Sequence, residues 1–213
     1  MEGELKLNVP TSDDIASWYL RLNGCLHFRN YVFHRLTGGG QRAEADFLGV
    51  RFPFRAELVE TGEALPDDER FVGTRIDIVF GEAKRRQPCD LNSSWQDPGR
   101  RPVEYALEAI GIFPDQLIAA VAAAIYKNSI YLDDGFRVRF FAFGSATNKE
   151  LPSAVEQVVW PDALKFIHGR LNHYGRYKKQ VDQWDEAGQF FHNLAQKTRK
   201  KPAEFVRLAL RAI

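Results

Sequence analysis

The chain has 213 residues, of which 45% are hydrophobic and 27% are charged, and its formal net charge is +1. These values are ordinary for a globular protein with a buried core. They exclude a partner dictated by bulk charge, so any nucleic-acid site has to be a local patch. Two cysteines are too few for a disulfide framework and favour a reducing compartment.

Neither an export signal nor a membrane span is indicated by the sequence. The first residues, "MEGELKLNVPTSDD", are polar and acidic, unlike a signal peptide. The longest apolar run, at 117–126, is too short to span a bilayer and is typical of a buried helix. We therefore expect a cytoplasmic protein that does not bind a membrane.

Hydrophobic periodicity predicts a first helix that is capped by Ser12 or Asp13 and that ends or bends at Gly24. Its apolar stripe would consist of Ile15, Tyr19, Leu22 and Leu26. Branched and aromatic residues then predict three strands, at 28–36, 43–52 and 75–84. A turn at 37–41 joins the first two strands, and a long polar excursion at 55–74 precedes the third.

A loop rich in Pro, Asn, Asp and Ser follows at 85–101. A helix is predicted at 102–127, with a break near "GIFPD", and a fourth strand at 136–144. The chain from 154 onward is mostly helical in its periodicity, and a final helix is predicted at 202–213.

The order helix, three strands, helix and strand predicts an α/β (α+β) protein. We expect a mixed sheet flanked by helices to form a core at 1–150. A helical C-terminal extension, 151–213, is expected to pack on that core.

The third predicted strand ends in an acid and a base on its apolar face. Side chains alternate between faces along a strand, so Glu82 and Lys84 share the apolar face, whereas Asp77 lies on the other. Glu44 and Asp46 share the apolar face of the second strand, at its beginning. If the two strands are antiparallel neighbours, these four residues meet at one rim of the sheet.

Carboxylates placed so close together repel one another and raise each other's pKa. A hard divalent cation removes this conflict. Mg²⁺ takes oxygen ligands, keeps several waters and typically uses one or two carboxylates together with a substrate phosphate. A lysine beside it can orient the attacking water or offset charge on the phosphate. The rim therefore predicts a Mg²⁺ site, in which Mn²⁺ would substitute, and a phosphodiester substrate.

At these residues the sequence resembles the PD-(D/E)xK nuclease superfamily, which includes restriction endonucleases, Holliday-junction resolvases and RecB-type nucleases. Asp46 in "EAD" looks like the first acid of the family motif, and Glu82-Ala83-Lys84 looks like its ExK. The stretch "WYLRLNGCLHFRNYVFHR" resembles the helix, glycine and strand with which resolvase-like members begin. The resemblance covers about residues 12–145 and includes the family's element order, αβββαβ.

The resemblance implies a restriction-endonuclease-like core and a Mg²⁺-dependent nuclease that acts on DNA rather than RNA, in bacterial defence, restriction or repair. It implies that Asp46 and Glu82 bind the metal and that Lys84 assists the water. The chain departs from the family in three ways. Ala45 stands where many members have proline, an insertion is needed at 55–74, and the first helix offers only acids 13 and 14 where some relatives carry a metal-binding glutamate.

Several residues near the motif allow two interpretations. Asp77 competes with Asp46 as first acid, but its parity favours a structural role. Glu44 is either a further ligand or orienting acid, or an exposed acid at a strand end. Trp95 and its neighbour Asn92 would meet a nucleotide or, as we favour for Trp95, pack on the core. Two arginines, Arg85 and Arg86, follow Lys84. They either contact DNA phosphates or are solvated.

A basic segment with interspersed aromatics occupies 165–201 and suits either nucleic acid or a solvated helix face. We single out four of its lysines as phosphate contacts: Lys178, Lys179, Lys200 and Lys201. The five histidines have no metal-ligand spacing. Two other classes stay open. One is an inactive nuclease-fold protein that serves as a nucleic-acid-binding or assembly subunit, and the other is a small-molecule enzyme with a carboxylate-bound metal. A homodimer or a partner subunit also stays open.

Overall fold

The computed structural model describes residues 9–34, 41–55, 67–174 and 184–212. It shows an α+β protein in which helices flank one mixed, six-stranded sheet. The helices are α1 (Ser12–Leu22), α2 (Pro102–Ile110), α3 (Asp115–Asn128), α4 (Trp160–Tyr174), α5 (Glu186–Lys197) and α6 (Pro202–Ala212). The strands are β1 (Cys25–His34), β2 (Gln41–Arg51), β3 (Ile76–Ala83), β4 (Ile130–Leu132), β5 (Phe136–Gly144) and β6 (Glu156–Val159).

The sheet combines an antiparallel half with a parallel crossover. β1, β2 and β3 are sequential antiparallel neighbours, so the second and third strands meet the condition under which the acids of the motif converge. β5 pairs parallel to β3, and the helices α2 and α3 lie in the connection between them, because a parallel pair needs a long crossover. The short strands β4 and β6 pair with β5 and are not predicted from the sequence.

Two hydrophobic clusters pack on opposite faces of the sheet. The α1-side cluster joins the sheet to α1 and to the C-terminal helices, and its large members include Trp18, Tyr19, Phe143, Phe191 and Phe205. The α2-side cluster joins the sheet to α2 and α3, and its members include Phe80, Trp95, Val103, Ile118 and Phe140. Each strand of the sheet centre is therefore covered on both faces.

The first helix begins one residue earlier than predicted, and it ends before Gly24, which has φ of 80°, as the sequence predicts. Thr11, not Ser12 or Asp13, is the N-cap, and it exchanges hydrogen bonds with Asp14 in a capping box. The predicted stripe was wrong at Leu26, which lies in β1 with its side chain exposed, because the chain leaves the helix at Leu22.

The remaining predicted elements differ little from the structure. The break near "GIFPD" is confirmed, since α2 ends at Gly111 with φ of 69° and Pro114 precedes α3. Residues 37–40 of the predicted turn and 56–66 of the polar excursion lie outside the described residues. Within the part of the chain that the structure describes, no helix is long and apolar enough to cross a membrane.

Candidate active site where two strands diverge

The paired region of β2 and β3 ends at the candidate site. The two strands are in register from Arg51 opposite Asp77 to Phe47 opposite Gly81. One step further, the backbone N–H of Ala83 donates to the carboxylate of Asp46 at 2.7 Å, in place of a bond to the neighbouring strand. The Asp46 side chain is therefore fixed at the point where β2 leaves β3.

Glu82 precedes Ala83 in β3, and its side chain is fully buried. Its Oε1 accepts a hydrogen bond of 2.8 Å from the indole N–H of Trp95, and its Oε2 accepts one of 3.2 Å from the ammonium of Lys84. The same ammonium donates to Oδ1 of Asn92 at 2.6 Å. The acid and the base of the ExK motif are thus joined in one chain of hydrogen bonds with two loop residues.

Trp95 packs on the core, as its sequence context favours, and aromatic contacts hold its ring. It is 2% exposed and stacks on Phe80 with ring centroids 5.4 Å apart and planes at 9°. The rings of Phe140 and Phe33 meet it edge-on. The bond from Trp95 to Glu82 was not predicted. The one signal in the sequence was an Asn and a Trp in a loop close after the motif strand. In the structure Asn92 is the N-cap of a short 3-10 helix, Ser93–Gln96, that carries Trp95.

The edge strand β1 is irregular opposite the site. Asn30 has φ of 52°, a left-handed conformation that non-glycine residues rarely adopt and that clusters at functional sites. His27 and Arg29 contact α1, whereas Phe33 contacts Trp95 in the opposite layer. Under strict alternation these three odd-numbered residues would share a face, so the alternation is interrupted near Asn30.

The same interruption occurs in β2 around Asp46. Ala45 and Leu48 both pack in the α2-side cluster although they are three residues apart, while Phe47 packs in the α1-side cluster. The alternation that placed Glu44 on the face of Asp46 therefore does not hold through this point. Glu44 is half-buried opposite β1, and its role in the site stays a prediction.

Burial and mutual repulsion shift the two carboxylates in the same direction. Burial, and then the charge of Asp46, raise the pKa of Glu82 to about 7, against the partly offsetting contacts of Trp95 and Lys84. Burial also raises the pKa of Asp46, assisted by the charges of Asp13 and Glu44. Asp13, in the first turn of α1, is thus the acid of the first helix whose field reaches the site.

The two carboxylates suit a hard cation that takes few protein ligands and keeps most of its waters. In the described ranges, no group of three or more His, Cys, Asp or Glu side chains is arranged to hold a metal ion. Asp46 and Glu82 nevertheless offer the one or two carboxylates that Mg²⁺ typically takes with water and phosphate. Oε2 of Glu82 already forms an ion pair with the Lys84 ammonium, at 3.2 Å. The residues present therefore fit Mg²⁺.

Asp77 lies on the other face of β3 and belongs to a buried ion cluster. Its carboxylate pairs with Arg137 at 2.5 Å and with Arg139 at 3.2 Å, and it is fully buried. The Arg139 guanidinium stacks over Phe141 of the α1-side cluster. This placement agrees with the structural role that parity predicts for Asp77.

The structure describes four of the six predicted phosphate contacts. Arg85 and Arg86 are exposed and follow Lys84 directly in the chain. Lys200 and Lys201 are exposed in the connection between α5 and α6, in the layer of α1. The two remaining lysines, Lys178 and Lys179, lie outside the described residues.

The raised pKa of Glu82 predicts a pH-dependent gain in stability for Glu82→Gln. The folded protein keeps the Glu82 proton to a higher pH than the unfolded chain, so wild-type stability falls between the ordinary pKa of 4.5 and about 7. Glutamine avoids this loss and can still accept from Trp95. We expect the advantage of the variant to grow by roughly 3 kcal/mol across this window and to level off above it.

Urea unfolding of both proteins in EDTA, from pH 4.5 to pH 8, measures this difference. The difference between the two proteins removes the contribution of every group that does not interact with Glu82. A difference that does not change with pH would show that Glu82 titrates alike in the folded and unfolded chains.

Comparison with known proteins supplies no relative for this site. No family model matches the chain, no curated protein matches it, and no solved structure matches it.

Proposed function

We propose that the protein is a metal-dependent nuclease of the PD-(D/E)xK type that hydrolyses phosphodiester bonds in DNA. The observation that carries this proposal is the meeting of Asp46, Glu82 and Lys84 where β2 and β3 diverge. We further propose that it acts in the cytoplasm, in bacterial defence, restriction or repair.

The arrangement of elements supports the proposal. A helix precedes three antiparallel strands, two helices follow, and the next long strand, β5, lies parallel to β3. This is the order αβββαβ that the resemblance implies. Asp46 lies in the middle of β2, where the pairing with β3 stops, and Glu82 and Lys84 lie at the end of β3.

Each residue of the site has a distinct chemical task in this proposal. Asp46 and Glu82 would hold Mg²⁺, or Mn²⁺ in its place, through carboxylate oxygens. The metal would supply Lewis-acid activation of the phosphate and of the attacking water. Lys84 would orient the water and offset the charge that develops on the phosphate. Asn92 holds the Lys84 ammonium in position.

The test is direct incubation with nucleic acids of different form. Supercoiled plasmid, linear duplex, single-stranded DNA and single-stranded RNA are each incubated with the protein in Mg²⁺, in Mn²⁺ or in EDTA. Cleavage of DNA that requires the metal supports the proposal. Cleavage of RNA alone, or no cleavage of any substrate in either metal, contradicts it.

One feature favours an inactive nuclease-fold subunit instead. Both oxygens of Glu82 already accept hydrogen bonds and the side chain is fully buried, so the network is satisfied without a metal. A protein of this kind would bind nucleic acid or a partner subunit without cutting. Isothermal titration with Mn²⁺ separates the two functions, because only the nuclease needs a metal that Asp46 and Glu82 share.

The basic residues of the C-terminal region predict binding that is insensitive to sequence and sensitive to salt. Replacing Lys178, Lys179, Lys200 and Lys201 with alanine should weaken DNA binding. The slope of log affinity against log salt should fall by roughly one for each lysine that binds a phosphate in the wild type. Cleavage at saturating protein should survive, because β2 and β3 build the site.

The measurement is a salt titration of DNA binding, with Ca²⁺ in place of Mg²⁺ to suppress cutting. A Lys127→Ala, Lys149→Ala variant is the matched control, since both lysines are exposed and lie outside the basic segment. Equal slopes and affinities for wild type and the quadruple variant would show that the region is only a solvated face.

A further inference from the structure

We propose that Trp95 determines which divalent cation the site accepts, by leaving Glu82 one coordinating oxygen instead of two. The inference rests on the proposed metal site at Asp46 and Glu82. It assigns to a core tryptophan a role in metal selectivity in addition to packing.

Oε1 of Glu82 is hydrogen-bonded to Trp95. The indole N–H of Trp95 donates to it at 2.8 Å, and the carboxylate is fully buried, so this oxygen is turned away from solvent. A cation that bound Oε1 would have to share that oxygen with this N–H, which occupies one of its two lone pairs and draws electron density from it.

The indole ring of Trp95 is held rigidly by its aromatic neighbours. Trp95 lies parallel to Phe80 and meets Phe140 and Phe33 edge-on, so three rings fix its plane. The N–H cannot turn away to free Oε1 unless the aromatic cluster repacks. Glu82 is therefore held to one orientation.

Oε2 of Glu82 has a different hydrogen-bond donor, Lys84. Oε2 accepts from Lys84 at 3.2 Å, whereas Asn92 accepts from the same ammonium at the shorter distance of 2.6 Å. When a cation takes Oε2, the Lys84 ammonium keeps its partner in Asn92. Oε2 is thus the exchangeable oxygen of Glu82, and Oε1 is the committed one.

A single available oxygen discriminates between cations. Mg²⁺ and the similar Mn²⁺ demand near-octahedral geometry and accept one oxygen from each carboxylate. Ca²⁺ takes six to eight oxygens and often binds both oxygens of a carboxylate. With Oε1 hydrogen-bonded to Trp95, the second oxygen that Ca²⁺ uses is a weaker ligand than Oε2, and Glu82 stays oriented for the smaller ion.

Trp95→Phe tests this inference, because it keeps an aromatic ring beside Phe80 and removes the N–H. The probes are Mn²⁺ alone and Ca²⁺ alone, titrated calorimetrically in the absence of nucleic acid. Loss of a partner that orients a metal ligand typically weakens binding about 10- to 100-fold. We expect the Mn²⁺ dissociation constant to rise about 10-fold. The Ca²⁺ dissociation constant should not rise, so that the ratio of Ca²⁺ to Mn²⁺ constants falls by the same factor.

Trp18→Phe is the matched control. Trp18 is also buried and its N–H also donates to a carboxylate, that of Asp185, at 3.0 Å and outside the site. Its ratio of constants should equal that of wild type. If Trp95→Phe does not fold, the titration uses the benzothiophene analogue of tryptophan at position 95, which keeps the bicyclic ring and lacks the N–H.

The outcomes separate this inference from the proposed function. Wild-type Mn²⁺ binding that Asp46→Asn abolishes, with an unchanged ratio in the Trp95 variant, overturns the role of Trp95 and leaves the metal site standing. A shift of equal size in Trp18→Phe also overturns it. Wild-type protein that does not bind Mn²⁺ overturns both the metal site and the inference that rests on it.

Discussion

Asp46→Asn should reduce metal-dependent DNA cleavage by at least about 100-fold, the loss typical for removal of one electrostatic stabiliser. The substitution removes a negative charge from the site and almost nothing else. Asparagine is isosteric, and its Oδ1 can still accept the Ala83 N–H that Asp46 accepts at 2.7 Å. The fold at the divergence of β2 and β3 is therefore preserved while one of two metal ligands is weakened.

The measurement is the cleavage rate of plasmid at saturating Mg²⁺, with thermal unfolding as the test of fold. Asp162→Asn is the matched control, because Asp162 is an exposed acid of α4 that pairs with Lys165, one turn along the same helix and outside the site. The control should cut at the wild-type rate. Full cleavage by Asp46→Asn would remove Asp46 from the proposed mechanism.

Asp77→Asn should instead destabilise the fold by about 3–5 kcal/mol, the usual consequence of removing one partner of a buried ion pair. Asp77 is fully buried and pairs with Arg137 and Arg139. Without its charge, the guanidinium of Arg139, which is 2% exposed, keeps Glu156 as an acidic partner but no longer has the buried one. The loss is energetic rather than catalytic, since Asp77 faces the α1 side of the sheet.

Urea unfolding measures the loss, and the cleavage rate per folded molecule at low temperature separates stability from activity. That rate should stay near the wild-type value. Replacing Arg139 with methionine in the same chain should recover part of the lost stability, because the buried guanidinium is then removed together with its buried acidic partner. An Asp77→Asn protein that is as stable as wild type and inactive would exchange the roles assigned to Asp46 and Asp77.

The sequence alone predicts the face of Asp77 but not that of every acid in β2. The sequence alone separated Asp77 from Glu82, because alternation of faces is regular within β3, from Ile76 to Ala83. Within β2 the same reasoning does not apply to Glu44, because the alternation is interrupted around Asp46, and the role of Glu44 stays a prediction. The neighbouring strand β1 is interrupted at Asn30, which has a left-handed backbone, and hydrophobic periodicity does not predict such an interruption.

Local signals were sufficient for elements with a strong repeat or a clear stop. Strand β5 has the predicted bounds, Phe136–Gly144, because its alternating aromatic residues fill both faces of a central strand. Gly111 and Pro114 separate α2 from α3 because each ends or prevents a helix through its own backbone. The antiparallel pairing that brings Asp46 toward Glu82 was only a condition of the sequence argument, because a long connection separates the two strands, and the structure supplies it.

Only the tertiary structure decided how the site residues are held. The sequence determined that an acid, an ExK pair and a mixed sheet occur together in this protein. It did not determine that Trp95 binds Glu82, that Asn92 binds Lys84, or that Glu82 is buried enough for its pKa to reach about 7. These properties depend on contacts between residues distant along the chain and on the exclusion of water by aromatic rings, which come into existence only when the sheet and the loop after β3 pack together.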